Sequence, residues 1–301
     1  MLKKVLKWLG IVVAGIIGLL VLAALGIYMV SNSKINTTYD ITVEAIAIPT
    51  DSAAVARGAH IAETRVCYDC HGPDLAGQVF MDAPPMGTIY ASNLTSGNGG
   101  IGGQYSDTDW VRAIRHGVGA DHKALFNMPS EAFWSLSDAD LGALIAFLKQ
   151  LPPVDNPHPA PEYGPVSRGL IALTGAFFSA AHIDHDAPRM QEVEAAATPE
   201  FGAYLAQLCA ACHQADFSGG THHGPPDWPN TANITPDPEY GIGKWSEADF
   251  FRAMREGKRP DGPDIHPEAM PRTIGNMTDD ELKAIWLYLQ TVPPVASKGK
   301  E

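Results

Sequence analysis

The sequence predicts an all-α chain in which one N-terminal transmembrane helix precedes two tandem copies of a small helical domain. Three observations carry this. The 22 residues from Leu9 to Val30 contain no charged side chain. Residues 57–148 and 201–289 share a repeated series of short motifs, offset by 140–144 positions. Each copy ends in apolar residues spaced for one face of a helix.

As a helix, Leu9–Val30 would rise about 33 Å, enough to cross the hydrocarbon core of a bilayer. Cleavage as a signal peptide is disfavoured, because the apolar run is long and Ala24-Leu25-Gly26 is a poor processing site. Lys3, Lys4 and Lys7 precede the span and Lys34 alone follows it, which places the N-terminus in the cytoplasm and exports the rest. Residues 1–34 are therefore read as a cytoplasmic tip and transmembrane anchor. Four lysines and no acids fall in that stretch, leaving 17 basic against 34 acidic side chains in the remainder. A surface so acidic excludes nucleic acid as a partner and suits a basic patch on another protein.

The first copy is assigned to residues 35–154 and the second to 199–295. Between them lies a linker, 155–198, and residues 296–301 form a tail. Arg57-Gly-Ala-His-Ile-Ala62 matches Phe201-Gly-Ala-Tyr-Leu-Ala206, and Asn93-Leu-Thr95 matches Asn233-Ile-Thr235. The stretch from Ser106 to Gly117 matches that from Ser246 to Gly257. Ser106, Ser137, Ser246 and Thr278 each have an acid three residues later, the spacing of a capping box. Gly117 and Gly257 suit helix C-termini. Leu141, Leu144, Ile145 and Leu148 recur at helical spacing, as do Leu282, Ile285, Trp286 and Leu289, and Pro-Pro stops both helices. In the linker, residues 165–181 carry Leu170, Ile171, Leu173, Phe177 and Phe178. They are expected to pack between the two domains, with docking to the bilayer or to a partner subunit as the alternative.

All four cysteines lie in two C-x-x-C-H motifs, Cys67-Tyr-Asp-Cys70-His71 and Cys209-Ala-Ala-Cys212-His213. That is the attachment signature of a c-type haem, with two thiols for the two vinyl groups and a histidine for the iron. A thioredoxin-like redox pair would need a βαβ context, and a zinc site would need four ligands gathered in one place, whereas these pairs lie 142 residues apart. Two covalent haems c are therefore expected, with His71 and His213 as proximal iron ligands. Met128-Pro129 and Met270-Pro271 each follow their histidine by 57 residues, which nominates Met128 and Met270 as the sixth ligands. A thioether is a soft ligand that raises the potential of a histidine-ligated haem. Among rival methionines, Met254 and Met277 align with core positions and Met86 has no methionine counterpart.

These motifs resemble class I cytochromes c, and in particular membrane-bound dihaem members with tandem domains, over roughly residues 52–295. The resemblance implies mostly helical domains around largely buried haems. It also implies kinship with the cytochrome subunits of periplasmic alcohol, aldehyde and sugar-acid dehydrogenases. Gln214 departs from the pattern, since His71 is followed by glycine. With both axial positions filled, electron transfer on the outer side of the cytoplasmic membrane is the leading function, as a relay subunit or an anchored carrier and not an enzyme. The expected partner is a dehydrogenase, an oxidase or another respiratory complex. The alternative is a dihaem oxidoreductase such as a peroxidase, which would need a displaceable ligand. Arg112, Arg115, Arg252 and Arg255, with Tyr90, Asn93, Thr231 and Asn233, are candidate partners for haem propionates. His182, His185, His222 and His223 are metal-like in composition but sit in polar connecting sequence.

Overall fold

The computed structural model describes residues 1–221, 228–260 and 262–296. His222, His223 and the last five residues of the tail lie outside the described residues. Helix α1 runs Leu2–Ile35, well beyond the apolar run, and its side chains are exposed along nearly its whole length. It is long and apolar enough to cross a membrane, with a mean hydropathy of 2.8 in its most apolar window.

The first helical unit contains α2 (Ser52–Thr64), α3 (Cys67–His71), α4 (Asp107–His116), α5 (Ser130–Phe133) and α6 (Asp138–Leu148). Its first and last helices cross in contact. Gly58 makes the crossing possible, because a Cβ there would overlap the carbonyl oxygen of Ala143. In the second unit, α8 (Pro199–Leu205), α9 (Gln207–His213), α10 (Glu247–Glu256) and α11 (Asp279–Leu289) repeat the order. There Gly202 meets the carbonyl of Ala284 in the same way. The two apolar stripes expected from sequence are buried, from Leu141 and Leu282 at 0% to Trp286 at 8% exposure.

Capping boxes form at Ser106, Ser246 and Thr278. At Ser137 the hydroxyl caps the Asp140 amide, but the return bond is replaced. The Ser137 amide donates instead to Tyr204 Oη, and Tyr204 Oη donates to Asp140 Oδ2 at 2.6 Å. A side chain of the second unit thus completes a helix start of the first.

The expectation of an all-α chain needs correction. Strands β1 (Gln78–Ala83), β2 (Gly87–Ala91) and β3 (Glu162–Tyr163) form an antiparallel sheet in the order β1-β2-β3. Pro84 and Pro85 forbid a helix here and sit in the turn of the hairpin, while Val79, Phe80, Ile89 and Tyr90 suit a pleated surface.

The linker also behaves differently from the expectation. Helix α7 (Pro165–Thr174) packs along α1, and the turn Ser179–Ala181 packs on α5 of the first unit. Phe126 meets Phe177 and Phe178, and Ser179 Oγ donates to the Met128 carbonyl at 2.9 Å. The segment braces the first unit instead of filling the gap between the two.

The units touch each other directly through reciprocal contacts. His60 on α2 pairs with Glu281 of the second unit at 2.7 Å. Tyr204, which aligns with His60, bonds Asp140, which aligns with Glu281. The Glu281 pairing raises His60 above its ordinary 6.5 despite partial burial. Burial works to raise Glu281, but hydrogen bonds from His60 and the Thr278 amide outweigh it and hold it below 4.5. His60 contributes fully below about pH 6.5, and its contribution is lost as pH rises through its higher folded value. Glu281 contributes above its ordinary value and fades only in stronger acid. We therefore expect the thermal midpoint of the detergent-solubilised chain to fall between about pH 6 and pH 8. His60→Gln should flatten that fall, and an identical profile in the variant would exclude this link as its source.

Candidate haem-attachment sites

Each C-x-x-C-H stretch folds as a short helix, α3 or the second half of α9, placed directly after the first helix of its unit. Val66 enters α3 at φ 58°, and Gly72 leaves it at φ 84° and ψ 168°. That exit conformation is open almost solely to glycine. Gln214 adopts nearly the same angles, φ 67° and ψ 163°, after His213. The sequence departure at this position is therefore a strained residue held in a glycine conformation, at a cost of about 1–3 kcal/mol.

The four thiols are unpaired with one another. Burial pushes Cys67 up to about 12 and Cys209 up to about 11, and raises Cys70 and Cys212 as well. A dithiol redox pair needs the opposite, a thiol lowered toward neutrality. The histidines are oriented alike. His71 Nδ1 lies 2.8 Å from the Ser92 carbonyl, and His213 Nδ1 lies 2.7 Å from the Ala232 carbonyl. Since a carbonyl can only accept, Nδ1 carries the proton in each ring and Nε2 keeps its lone pair. Burial lowers His71, which favours the neutral imidazole that a metal requires. Two protonated thiols and a neutral imidazole with a directed Nε2 make a donor set that fits a covalent haem.

The sequence reading missed the two carbonyl acceptors, although a signal existed. Ser92 and Ala232 each immediately precede the repeated Asn-Leu/Ile-Thr motif. That motif is itself a lock. Asn93 Nδ2 donates to the Val154 carbonyl, and the amide and hydroxyl of Thr95 donate to Asn93 Oδ1. Asn233, Thr235 and Val295 repeat the arrangement. Each lock ties the loop that orients the histidine to the chain leaving the last helix. The side chains of Asn93 and Asn233 are thereby bonded within the protein. The arginines are bonded too. Arg112 pairs with Asp109, Arg252 with Asp249, and Arg255 with Asp279. Arg115 is fully buried, forms an ion pair with Asp138 and donates to the Leu136 carbonyl. Tyr90 stacks on His158, and Thr231 bonds Thr221.

Met128 and Met270 are both half-buried and pack against the same apolar cluster as Cys67 and Cys209. Met277 is 1% exposed within the core. Met86 sits in the turn of the β-hairpin, where Ser167 Oγ bonds its carbonyl. His266 lies close in sequence to Met270, but its Nδ1 accepts from the Glu268 and Ala269 amides. Its proton therefore resides on Nε2, which leaves no lone pair for iron in the neutral ring. His185 Nδ1 pairs with His116 Nδ1 at 2.9 Å, and its Nε2 meets the Ala180 carbonyl. No group of three or more metal-ligating side chains forms among the described residues.

The two sites lie on either side of the contact between units, where α9 packs on α5 and the turn Arg272–Asn276 packs on α2. Arg65 occupies this contact with 3% exposure, its guanidinium 5.6 Å from the Tyr204 ring centre. Its charge acts on Cys67 of the first motif and Cys209 of the second, opposing the upward push of burial. Nothing in the local sequence pattern marked this arginine, whose position in the second copy is Gln207.

The sequence model of the cytochrome c family matches residues 55–152 and 201–293. The chain is 31% identical over 279 residues to the fructose dehydrogenase cytochrome subunit of Gluconobacter japonicus, covering 84% of this chain and 56% of that protein. It is 30% identical to the cytochrome c subunit of a quinone alcohol dehydrogenase from Gluconacetobacter polyoxogenes, covering 81% of this chain and 57% of that one. The gluconate 2-dehydrogenase cytochrome c subunit of Pantoea cypripedii is 29% identical, with 80% and 60% covered. The chain thus spans somewhat more than half the length of these relatives.

Proposed function

Because this chain belongs to the cytochrome c family, we propose that it is the electron-relay subunit of a membrane-bound dehydrogenase, with one haem c in each of two domains. Family membership implies covalently attached haem c. The count of two rests on the two matched segments, each with its own C-x-x-C-H motif. Cys67, Cys70, Cys209 and Cys212 would hold the macrocycles, and His71, Met128, His213 and Met270 would be the ligands of the irons. The domains are assigned as 35–154 and 199–295.

The observation that carries this reading is the paired orientation of His71 and His213 by the Ser92 and Ala232 carbonyls. A haem bound there supplies an iron that cycles between two oxidation states. The chain's own work is to hold each imidazole in one tautomer and to keep both sites in register through Tyr204–Asp140 and His60–Glu281. The apolar helix α1 fits an anchor in the cytoplasmic membrane, and the lysine asymmetry supports domains on its outer face. The partner is a redox enzyme at that membrane, and the acidic domains suit a basic docking surface.

Extraction from native membranes in mild detergent, followed by mass spectrometry of the haem-stained complex, tests the proposal. Two haems per chain and a co-purifying dehydrogenase subunit are expected. Rapid peroxide turnover by the purified chain with no partner bound would overturn it.

A further inference from the structure

In α1 the aromatic residues Trp8 and Tyr28 stand 20 residues apart, about 30 Å along the helix and so one hydrocarbon thickness. Aromatic side chains of this kind mark the two interfaces of a bilayer. The helix then continues from Tyr28 to Ile35, a further length of about 10 Å that falls in the headgroup layer.

Helix α7 packs along this last stretch. The Arg168 guanidinium lies 4.5 Å over the Tyr28 ring and donates to Ser31 Oγ at 3.2 Å. Lys34 Nζ donates to the Ala172 carbonyl at 3.0 Å. As the contacts pass from Tyr28 to Lys34 on α1, they pass from Arg168 to Ala172 on α7. The two helices therefore run side by side at one level. A second face of α7 belongs to the first unit, where Ile171 is fully buried and Ser167 Oγ donates to the Met86 carbonyl at 2.6 Å.

A third face is left partly uncovered by the described residues. Val166, Leu170 and Leu173, at positions i, i+4 and i+7, are 45%, 38% and 79% exposed. Among the described residues, Leu173 is the most exposed large apolar one outside α1. An apolar stripe of this kind in water forfeits the gain of burial. This one lies on a helix that packs along α1 and that carries or touches the cations of Arg168 and Lys34, which suit lipid phosphates in an otherwise acidic chain.

We propose that α7 is a lipid-contacting platform, with Val166 and Leu170 at the headgroup–acyl boundary and Leu173 in the headgroup layer. The proposal rests on the reading of α1 as a membrane anchor. Its consequence is positional. The platform is bonded to the first unit, where Asn127 N donates to the Phe177 carbonyl and Ser179 Oγ to the Met128 carbonyl. The loop bearing Met128 is thus tethered directly to the membrane-docked segment, and the first unit is held at a set height on the bilayer.

The cysteine count makes a clean test, because all four native thiols lie in the haem-attachment motifs. In the haem-loaded full chain, Leu170→Cys, Leu173→Cys, Leu20→Cys and Glu247→Cys each add one thiol for a nitroxide label. The labelled proteins are reconstituted into phosphatidylcholine–phosphatidylglycerol vesicles and the haem irons reduced. Power-saturation spectroscopy then compares accessibility to oxygen, which partitions into lipid, and to an aqueous nickel chelate. We expect the oxygen-to-nickel ratio at Leu20 and Leu170 to exceed that at Glu247 several-fold, with Leu173 in between. If Leu20 is lipid-embedded while Leu170 and Leu173 match Glu247, the platform is refuted and the anchor stands. Protection of Leu170 and Leu173 from both reagents would mean that protein covers the stripe, which also refutes it. Nickel access at Leu20 would refute the anchor reading itself.

Discussion

Replacing Met128 or Met270 by leucine should abolish the sulfur-to-iron charge-transfer absorption of one haem and leave the other intact. Leucine conserves volume, so a fold effect should stay below about 1.5 kcal/mol. The electronic effect should be large, because a soft thioether favours the reduced iron and its loss leaves a histidine alone on one side. The midpoint potential of the altered site should fall by roughly 0.1–0.3 V, part of the about 0.8 V over which axial ligation tunes haems. The two substitutions need not be equivalent. The Met128 loop is braced by Ser179 and Phe177, whereas Met270 bonds the His266 carbonyl within its own loop. Leucine at position 128 should therefore leave the backbone in place, and an exogenous ligand such as imidazole should bind at the vacated position. An undiminished band in both single variants would show that sulfur comes from elsewhere, and Met86 and Met254 would then need to be replaced in turn.

The second large effect is expected at the helix crossings. Gly58→Val and Gly202→Val each place side-chain carbon where a backbone carbonyl oxygen of the partner helix already sits. A carbonyl held in a helix cannot turn aside as a flexible side chain can, so α2 and α6, or α8 and α11, must separate. The cost should reach at least the upper end of the about 1–3 kcal/mol typical of overpacking. For a unit of this size that corresponds to a fall in thermal midpoint of about 10 °C or more. The loss should be confined to the altered unit, so haem staining of proteolytic fragments should show one loaded half and one depleted half. Gly58→Ala with an unchanged midpoint by circular dichroism would refute the close packing.

Much of this protein was legible because its chemistry is local and occurs twice. The C-x-x-C-H motifs, the helix caps at Ser106, Ser246 and Thr278, and the stripes at 141–148 and 282–289 depend on spacings of three to seven residues. Repetition at a nearly constant offset, 140–144 positions, distinguishes such patterns from chance. The β-hairpin is faint in the sequence because its alternating residues are few and it has no counterpart strand pattern in the second copy. Its turn was nevertheless written in Pro84-Pro85. For the repeated polar residues the sequence left the acceptor open. A repeated Asn or Arg signals a repeated bond, and sequence does not say whether the acceptor is a cofactor or the protein's own backbone. Asn93 and Asn233 turned out to bond Val154 and Val295, some 60 residues away.

Sequence alone therefore made legible the two cytochrome c modules, their C-x-x-C-H motifs and the long apolar helix, all of which depend on residues close together along the chain. Three-dimensional packing settled how those parts are arranged. It set Tyr204 into the helix start at Ser137, paired His60 with Glu281, buried Arg65 between the two motifs and laid α7 along α1. Each of these joins residues 67 or more positions apart in the chain, with the arginine's neighbour Tyr204 at a comparable remove. At such separations the partner is chosen by which surfaces the folded units bring together, and no periodicity or short motif records that choice.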